Sequence, residues 1–396
     1  MVSVYLSAVS IIPLMFHSNV YLKLENLQPG SSFKSRGIGH LMSLAIRSHG
    51  PNAPIHFYCS SGGNAGLACA TAAVSLKRPA TIVVPTSTSE LIVEKLRTLG
   101  ADAVVHGRHW VEADTFMRET LMAGDKNAVY VPPFDHEHVW EGNGTIVNEV
   151  ERQMAEFGGY DALICSVGGG GLFVGIMNAL DKHGRLHGGK RGVKVLAMET
   201  EGADSLAYSL KNRELSRLPA ITSIATSLGA TQVCEKAYEW AQRPEVTNCV
   251  FSDAEAAIAS VCFADDERIL TEPACGVSIA PAYNDTLSSL LYPNLSAEDF
   301  SEINVVIVVC GGSKATLRIL QEYQEKYGSD ERVLQKFHIR RLAAEKKKVV
   351  VENSTETEPG VPFILHDKEQ HDQATEESLC NDKVSRGPAI GTAGDI

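Results

Sequence analysis

Short runs of consecutive apolar residues alternate with segments whose apolar positions recur every three to four residues, from residue 20 to about residue 327. The runs at 20–25, 55–59, 81–84, 103–105, 129–131, 162–165, 193–196 and 305–309 predict strands. The periodic segments at 38–46, 64–75, 89–99, 111–122, 139–157 and from Leu172 onward predict helices. Strands that are apolar on both faces, each followed by a helix, belong in parallel sheets covered on both sides. The fold class is therefore α/β, with parallel sheets and flanking helices. Such sheets place ligands at the carboxyl ends of their strands. Residues 35–142 are a self-contained run of strand–helix units and are expected to form a small domain. Residues 1–34 and 143–330 form the larger one. No internal repeat is visible.

The pattern fades at both ends. Residues 1–16 are apolar but have no Lys or Arg ahead of the apolar run, as a secretory signal would. Interrupted by Pro13, they are also short for a membrane span. A covering strand or irregular segment is favoured over a targeting role. Residues 331–396 open on a basic stretch, 336–348, with helical character. They then lose every apolar period and are expected to be a disordered tail.

Composition narrows the function more than the fold. The 396 residues carry a net charge of -12, which argues against a nucleic-acid partner. Nine cysteines form no C-x-x-C pair, and most lie in apolar runs. They read as buried thiols of a cytoplasmic protein rather than a disulfide frame. Glycosylation sequons at Asn143, Asn294 and Asn353 are discounted, because the motif is short and common.

Four loops at predicted strand ends carry the chemistry. Gly30–Ser31–Ser32–Phe33–Lys34–Ser35–Arg36–Gly37 sets a lysine between the strand at 20–25 and the helix at 38–46. A lone lysine is usually a solvated surface group, and the other loops decide against that here. Ser60–Ser61–Gly62–Gly63–Asn64–Ala65–Gly66 joins small, backbone-permissive residues to a helix start. It suits a carboxylate about as well as it suits a plain turn and N-cap. Gly168–Gly169–Gly170–Gly171 has more glycine than a turn needs and suits a phosphate at a helix N-terminus. The dinucleotide fingerprint fails there, since its last glycine would fall on Phe173, and no Gly-Lys-Ser/Thr follows as in a P-loop. Cys310–Gly311–Gly312–Ser313 is weak alone, since a buried cysteine is more often packing. His106 with His109, and His136 with His138, lack a third ligand at metal spacing and read as structural or exposed. Ser60 and Ser61 lack the G-x-S-x-G setting of a nucleophile. The basic residues Arg340, Arg341 and 346–348 read as a solvated face.

A reactive lysine, a phosphate loop and a carboxylate loop together suit pyridoxal phosphate, whose aldehyde condenses with a lysine and whose ring accepts electrons from an amino-acid carbanion. At this point the chain resembles the fold type II (β-family) pyridoxal-phosphate enzymes, and within them the eukaryotic L-serine/L-threonine dehydratases. The resemblance rests on residues 20–28, Ser32–Phe33–Lys34–Ser35–Arg36–Gly37, 60–66, the tetraglycine, Glu199–Thr200, Glu272–Pro273–Ala274–Cys275–Gly276 and 310–313, and spans about 19–327.

It implies a tryptophan synthase β-like fold with the cofactor in the cleft between two parallel-sheet domains. Lys34 would hold the cofactor as a Schiff base and remove the α-proton. Phe33 would pack on its ring, Asn64 would bond its 3′ oxygen, Gly168, Gly169, Gly170 and Gly171 would hold its phosphate, and Cys310 would face its ring nitrogen. Ser61, Gly62, Asn64 and Ala65 would hold the substrate carboxylate. Glu199, Ala203 and Leu228 match the positions that hold a monovalent cation such as K+ in the family. The implied reaction is α,β-elimination of L-serine to pyruvate and ammonia, and of L-threonine to 2-oxobutanoate and ammonia. The implied setting is a cytoplasmic homodimer of amino-acid catabolism, without nucleic-acid or membrane partners. Alternatives are a serine racemase or sulfur amino-acid enzyme of the same family, or a variant that binds cofactor without turnover. Two departures stand out. The usual Ser-Gly-Ser before the phenylalanine is Gly30–Ser31–Ser32, and the family's Thr-Pro-Leu segment ahead of Asn19 has no counterpart in 1–18.

Overall fold

The computed structural model describes residues 6–8, 18–186 and 192–337. The basic cluster from Arg340 and the sequon at Asn353 lie outside the described residues.

The chain opens with β1 (Leu6–Ala8), β2 (Asn19–Leu24) and α1 (Lys34–His49). Then come β3 (His56–Ser60), α2 (Asn64–Leu76), β4 (Ala80–Val84), α3 (Glu90–Thr98), β5 (Asp102–Val105), α4 (Trp110–Phe116), β6 (Ala128–Tyr130) and α5 (Glu137–Gln153). The next elements are β7 (Ala162–Ser166), α6 (Gly171–Lys182), β8 (Lys194–Thr200), α7 (Ser205–Asn212), α8 (Glu235–Ala241), β9 (Val246–Phe251) and α9 (Asp253–Glu267). The last are α10 (Pro273–Tyr283), α11 (Leu287–Leu291), α12 (Ala297–Phe300), β10 (Asn304–Val309), α13 (Leu317–Tyr327) and α14 (Glu331–Lys336).

Two sheets result. The six-stranded one has the order β1-β2-β10-β7-β8-β9, and the four-stranded one β5-β4-β3-β6. All neighbours are parallel except β1 and β2. The apolar N-terminal run thus supplies an antiparallel edge strand, with Leu6 opposite Lys23 and Ala8 opposite Tyr21. β10 lies inside the large sheet between β2 and β7. Val305, Val306, Ile307, Val308 and Val309 are all fully buried. Each such side chain contributes roughly 1.5–3 kcal/mol by burial, so the strand end that carries Cys310 is firmly fixed.

Two sequence expectations are adjusted. The helix expected at 111–122 breaks after Phe116 into a π-turn, Met117–Leu121. The tail expected from residue 331 begins no earlier than residue 338. The reason is that α14 buries Val333 and Phe337 in the main core and sets the Phe337 ring parallel to Tyr283 at 6.5 Å. Only two apolar side chains anchor that turn, too few to show a period in the sequence.

Candidate active site

Lys34 is the first residue of α1. The residues before it are fixed by the turn after β10. The Phe33 N–H donates to the Cys310 carbonyl (3.2 Å), the Gly312 N–H donates to the Ser31 carbonyl (2.9 Å), and Ser32 bridges Gly311. Ser31, exposed, takes the left-handed backbone (φ 57°). Gly30 meets a different demand, since a Cβ there would stand 2.7 Å from Ser35 Oγ, to which its own N–H donates. Here the left-handed position of the turn falls on a serine, and the glycine serves a close approach instead.

The Lys34 side chain is half-buried. Its Nζ donates to the Pro133 carbonyl and lies 5.2 Å from the centre of the Phe33 ring. Burial lowers its pKa to about 8, with the Cys59 and Cys310 thiols near enough to oppose part of the shift. An amine that loses its proton near neutrality can act both as nucleophile and as base. Labelling of Lys34 by a small amine-reactive reagent, located by peptide mapping, should rise roughly tenfold per pH unit below about 8 and level above it. A rate still climbing between about pH 9 and 10, as for an ordinary lysine, would contradict this.

Behind Lys34 lies a buried ionic cluster. The Arg36 guanidinium donates to both oxygens of Glu25 (2.6 and 2.8 Å) and to both oxygens of Glu149 (2.9 and 2.8 Å). Lys23 Nζ adds a bond to Glu149 Oε2. Lys23, Glu25 and Arg36 are fully buried. The cluster ties β2 and the turn after it to α1 and α5. Asn143 works beside it, accepting from the Gly37 N–H (3.1 Å) and donating to the Gly171 carbonyl (3.0 Å). A sequence reading sees Asn143 only as a sequon; it is buried on α5.

The tetraglycine follows β7 and starts α6. Gly170 has φ 94°, which excludes a side chain in practice. Cβ atoms on Gly169 and Gly170 would stand 2.4 Å from the Phe134 ring and 2.5 Å from Ala237 Cβ. Among the described residues, no group accepts a hydrogen bond from the backbone N–H of Gly168, Gly169, Gly170 or Gly171. Four N–H groups without acceptors at the start of a twelve-residue helix suit an anion.

Asn64, at the first turn of α2, bridges to the large sheet. Its Oδ1 accepts from the Ser313 N–H (3.1 Å) and Oγ (3.2 Å). Its Nδ2 makes longer contacts to Glu272 Oε1 (3.3 Å) and Ser227 Oγ (3.4 Å). Ser61 and Gly62 are half-buried, and Ala65 is buried. The Ser61 hydroxyl accepts from the Gly63 N–H (3.3 Å), and a Cβ on Gly62 would collide with Thr88 Oγ1. Cys310 is buried, with its Sγ 3.5 Å from Ser166 Oγ. Lys34, Phe33 and Cys310 are thus linked at one strand end, and Asn64 reaches that turn through Ser313.

Glu199, Ala203 and Leu228 occupy another part of the large sheet's rim. Glu199 ends β8 next to Thr200, and its carboxylate accepts from the Leu206 N–H (2.8 Å), the Ala207 N–H (2.8 Å) and Asn248 Nδ2 (3.0 Å). Burial raises its pKa to about 7 against those donors. Leu228 lies behind the tetraglycine, its Cα 2.9 Å from where a Cβ on Gly168 would stand. Among the described residues no group of three or more His, Cys, Asp or Glu side chains is gathered for a metal. His106 stacks on Phe116, and His136 accepts from the His138 N–H at the start of α5. Glu272 and Ser313 stand in motifs that carry the resemblance but receive no individual role from it, and Pro133 stands in none. Pro273 at the first position of α10 marks Glu272 as that helix's N-cap.

Comparison with known proteins is consistent across sequence and structure. Residues 11–311 match the family model described as pyridoxal-phosphate dependent enzyme. An L-serine dehydratase of Saccharomyces cerevisiae (strain YJM789) is 41% identical over 308 residues, covering 75% of this chain and 88% of the relative. The L-serine dehydratase/L-threonine deaminase of Bos taurus is 40% identical over 313 residues, covering 79% and 91%. Among solved structures, a fungal L-serine ammonia-lyase from Rhizomucor miehei aligns with a TM-score of 0.74 at 34% identity, covering 82% of this chain and 98% of that one.

Proposed function

Because the chain belongs to the pyridoxal-phosphate-dependent enzyme family, with its tryptophan synthase β-like fold, we propose that it is an L-serine ammonia-lyase that also deaminates L-threonine. The observation that carries this reading is the pairing of Lys34, at a pKa of about 8, with a glycine loop whose N–H groups have no acceptor among the described residues. The relatives named for serine dehydration agree with it.

The residues present fit the cofactor. The N–H groups of Gly168, Gly169, Gly170 and Gly171 would hold its phosphate, Lys34 Nζ would be its covalent attachment point, and Phe33, Asn64 and Cys310 would line its ring site. When bound, pyridoxal phosphate supplies an aldehyde for the amine and an electron-accepting ring for the charge developing at the α-carbon. Ser61, Gly62, Asn64 and Ala65 hold the substrate carboxylate at the start of α2, where the helix dipole favours an anion. Lys34 Nζ, steadied by the Pro133 carbonyl, would take the α-proton. Loss of the β-hydroxyl as water, then hydrolysis, leaves a 2-oxo acid and ammonia.

Residues 35–142, with the four-stranded sheet, act in this reading as a small substrate-side domain against 1–34 and 143–330. Glu199, with Ala203 and Leu228, would hold a monovalent cation in this reading. A buried carboxylate near pKa 7 is well placed for that, because a bound cation draws it fully into the charged form. The protein works as a cytoplasmic homodimer in amino-acid catabolism. Among the described residues the eight cysteines are all free and seven are buried, which fits a reducing compartment. Among the described residues no helix is long and apolar enough to cross a membrane.

The test is direct. Protein incubated with pyridoxal phosphate should turn yellow, shift its visible absorption when L-serine is added, and release pyruvate from serine and 2-oxobutanoate from threonine. A colourless protein that releases neither acid sinks the proposal.

A further inference from the structure

The turn after β10 brings another lysine to the loop that starts α2. The Lys314 N–H donates to Glu272 Oε1 (3.1 Å), and its Nζ donates to Thr226 Oγ1 (3.3 Å). That Nζ also lies 3.8 Å from where a Cβ on Gly63 would stand, with Cε at 3.9 Å. The ammonium therefore overhangs residues 61–63, the stretch read as the carboxylate loop. Lys314 also lines a recess of about 220 Å³ with Thr226, Glu272, Tyr323, Ala225 and Ile319. Glu272 is the acid in that recess, and its oxygens already receive Asn64 Nδ2, Ser227 Oγ and the Lys314 N–H. Among the described residues no carboxylate pairs with the Lys314 ammonium. Lys95 stands on the other side of the same turn, its Nζ donating to the Ser313 carbonyl (3.1 Å).

The chain carries a net charge of -12, and a half-buried ammonium without a counter-ion beside an anion-binding loop is a local departure from that charge. The geometry points to Lys314 as a substrate-binding residue that pairs its ammonium with the α-carboxylate of the amino acid held on residues 61–65. This rests on the functional reading above and adds to it a cation that the glycine and serine backbone cannot provide. The carboxylate keeps its charge throughout the elimination. Lys314 therefore stabilises the bound substrate and the transition state alike, and its loss falls on KM rather than on kcat.

The experiment compares Lys314→Met and Lys314→Arg in the cofactor-loaded enzyme. One charge-assisted bond is lost in the Met variant, so KM for L-serine should rise about tenfold, and the Arg variant should restore most of it. L-Alanine and L-alaninamide separate charge recognition from general damage, since they share the amine and methyl group and differ in the carboxylate. In the Met variant the dissociation constant of L-alanine should weaken about tenfold, while that of L-alaninamide stays unchanged. Equal weakening of both ligands, or no change in either, overturns the assignment. Failure of the unsubstituted protein to turn over serine would instead overturn the functional reading, and the two dissociation constants would still decide the role of Lys314.

Discussion

Lys34→Ala should lower serine turnover by at least about a thousandfold, because in the proposed mechanism one side chain supplies both the covalent attachment and the base. The fold should survive. Alanine is a strong helix former at the first position of α1, and the turn before it is held by backbone bonds that the side chain does not make. The protein should unfold at an unchanged denaturant midpoint in the cofactor-free state and lose the absorption of the covalently bound cofactor. A small primary amine in the buffer should recover part of the proton transfer. If the variant keeps more than about a tenth of the activity, Lys34 is not the base.

Arg36→Met should be the most damaging single substitution for stability. It leaves Glu25 fully buried, and Glu149 nearly so, without the guanidinium that donates to all four of their oxygens. Breaking a buried ionic group by removing one partner costs about 3–5 kcal/mol, against under about 1 for a typical exposed pair. Urea unfolding of the cofactor-free protein reads the loss, and a second change, Glu25→Gln, should recover part of it. A loss below about 1 kcal/mol would show that water reaches the cluster. The cluster also has a pH signature. Burial alone would raise Glu149, but the bonds from Arg36 and Lys23 outweigh it and hold the carboxyl below its usual 4.5. A depressed carboxyl stabilises the fold above its unfolded pKa. That contribution is therefore intact above about pH 4.5 and is lost as the pH falls through the lower native value.

Much of the site could be read from short stretches, and the rest depends on residues far apart in the chain. Strand, loop and helix at 20–46, 55–75 and 162–182 announce themselves through periodicity and glycine. The Arg36 cluster does not. Arg36 and Glu149 are 113 positions apart, and the run at 20–25 does not say what Lys23 faces. In the fold it is buried and paired with Glu149 of α5. Helices α9 and α10 escaped prediction for another reason. Every residue of α10 is buried, so no polar face marks a helical period. β9 was missed because Thr247 and Asn248 interrupt its apolar run at the sheet edge, where Asn248 serves Glu199. Ser313 meets Asn64, and Lys314 meets Glu272, because the turn after β10 lies against the start of α2 and the N-cap of α10.

The position of β10 in the large sheet bears on the order in which the molecule can assemble during synthesis. The strands of the small sheet, β3 to β6, all lie between His56 and Tyr130, and can pair as soon as that stretch leaves the ribosome. β2 is made earlier but must wait for β10, nearly three hundred residues later, to find its neighbour in the interior of the large sheet. Until then the backbone of Ser31 and Phe33 has neither Gly312 nor Cys310 to bond, and the turn ahead of Lys34 is not held. Lys34 is synthesised well before the turn that positions it. A nascent chain can therefore pair the strands of its small sheet long before the backbone ahead of Lys34 is held in place.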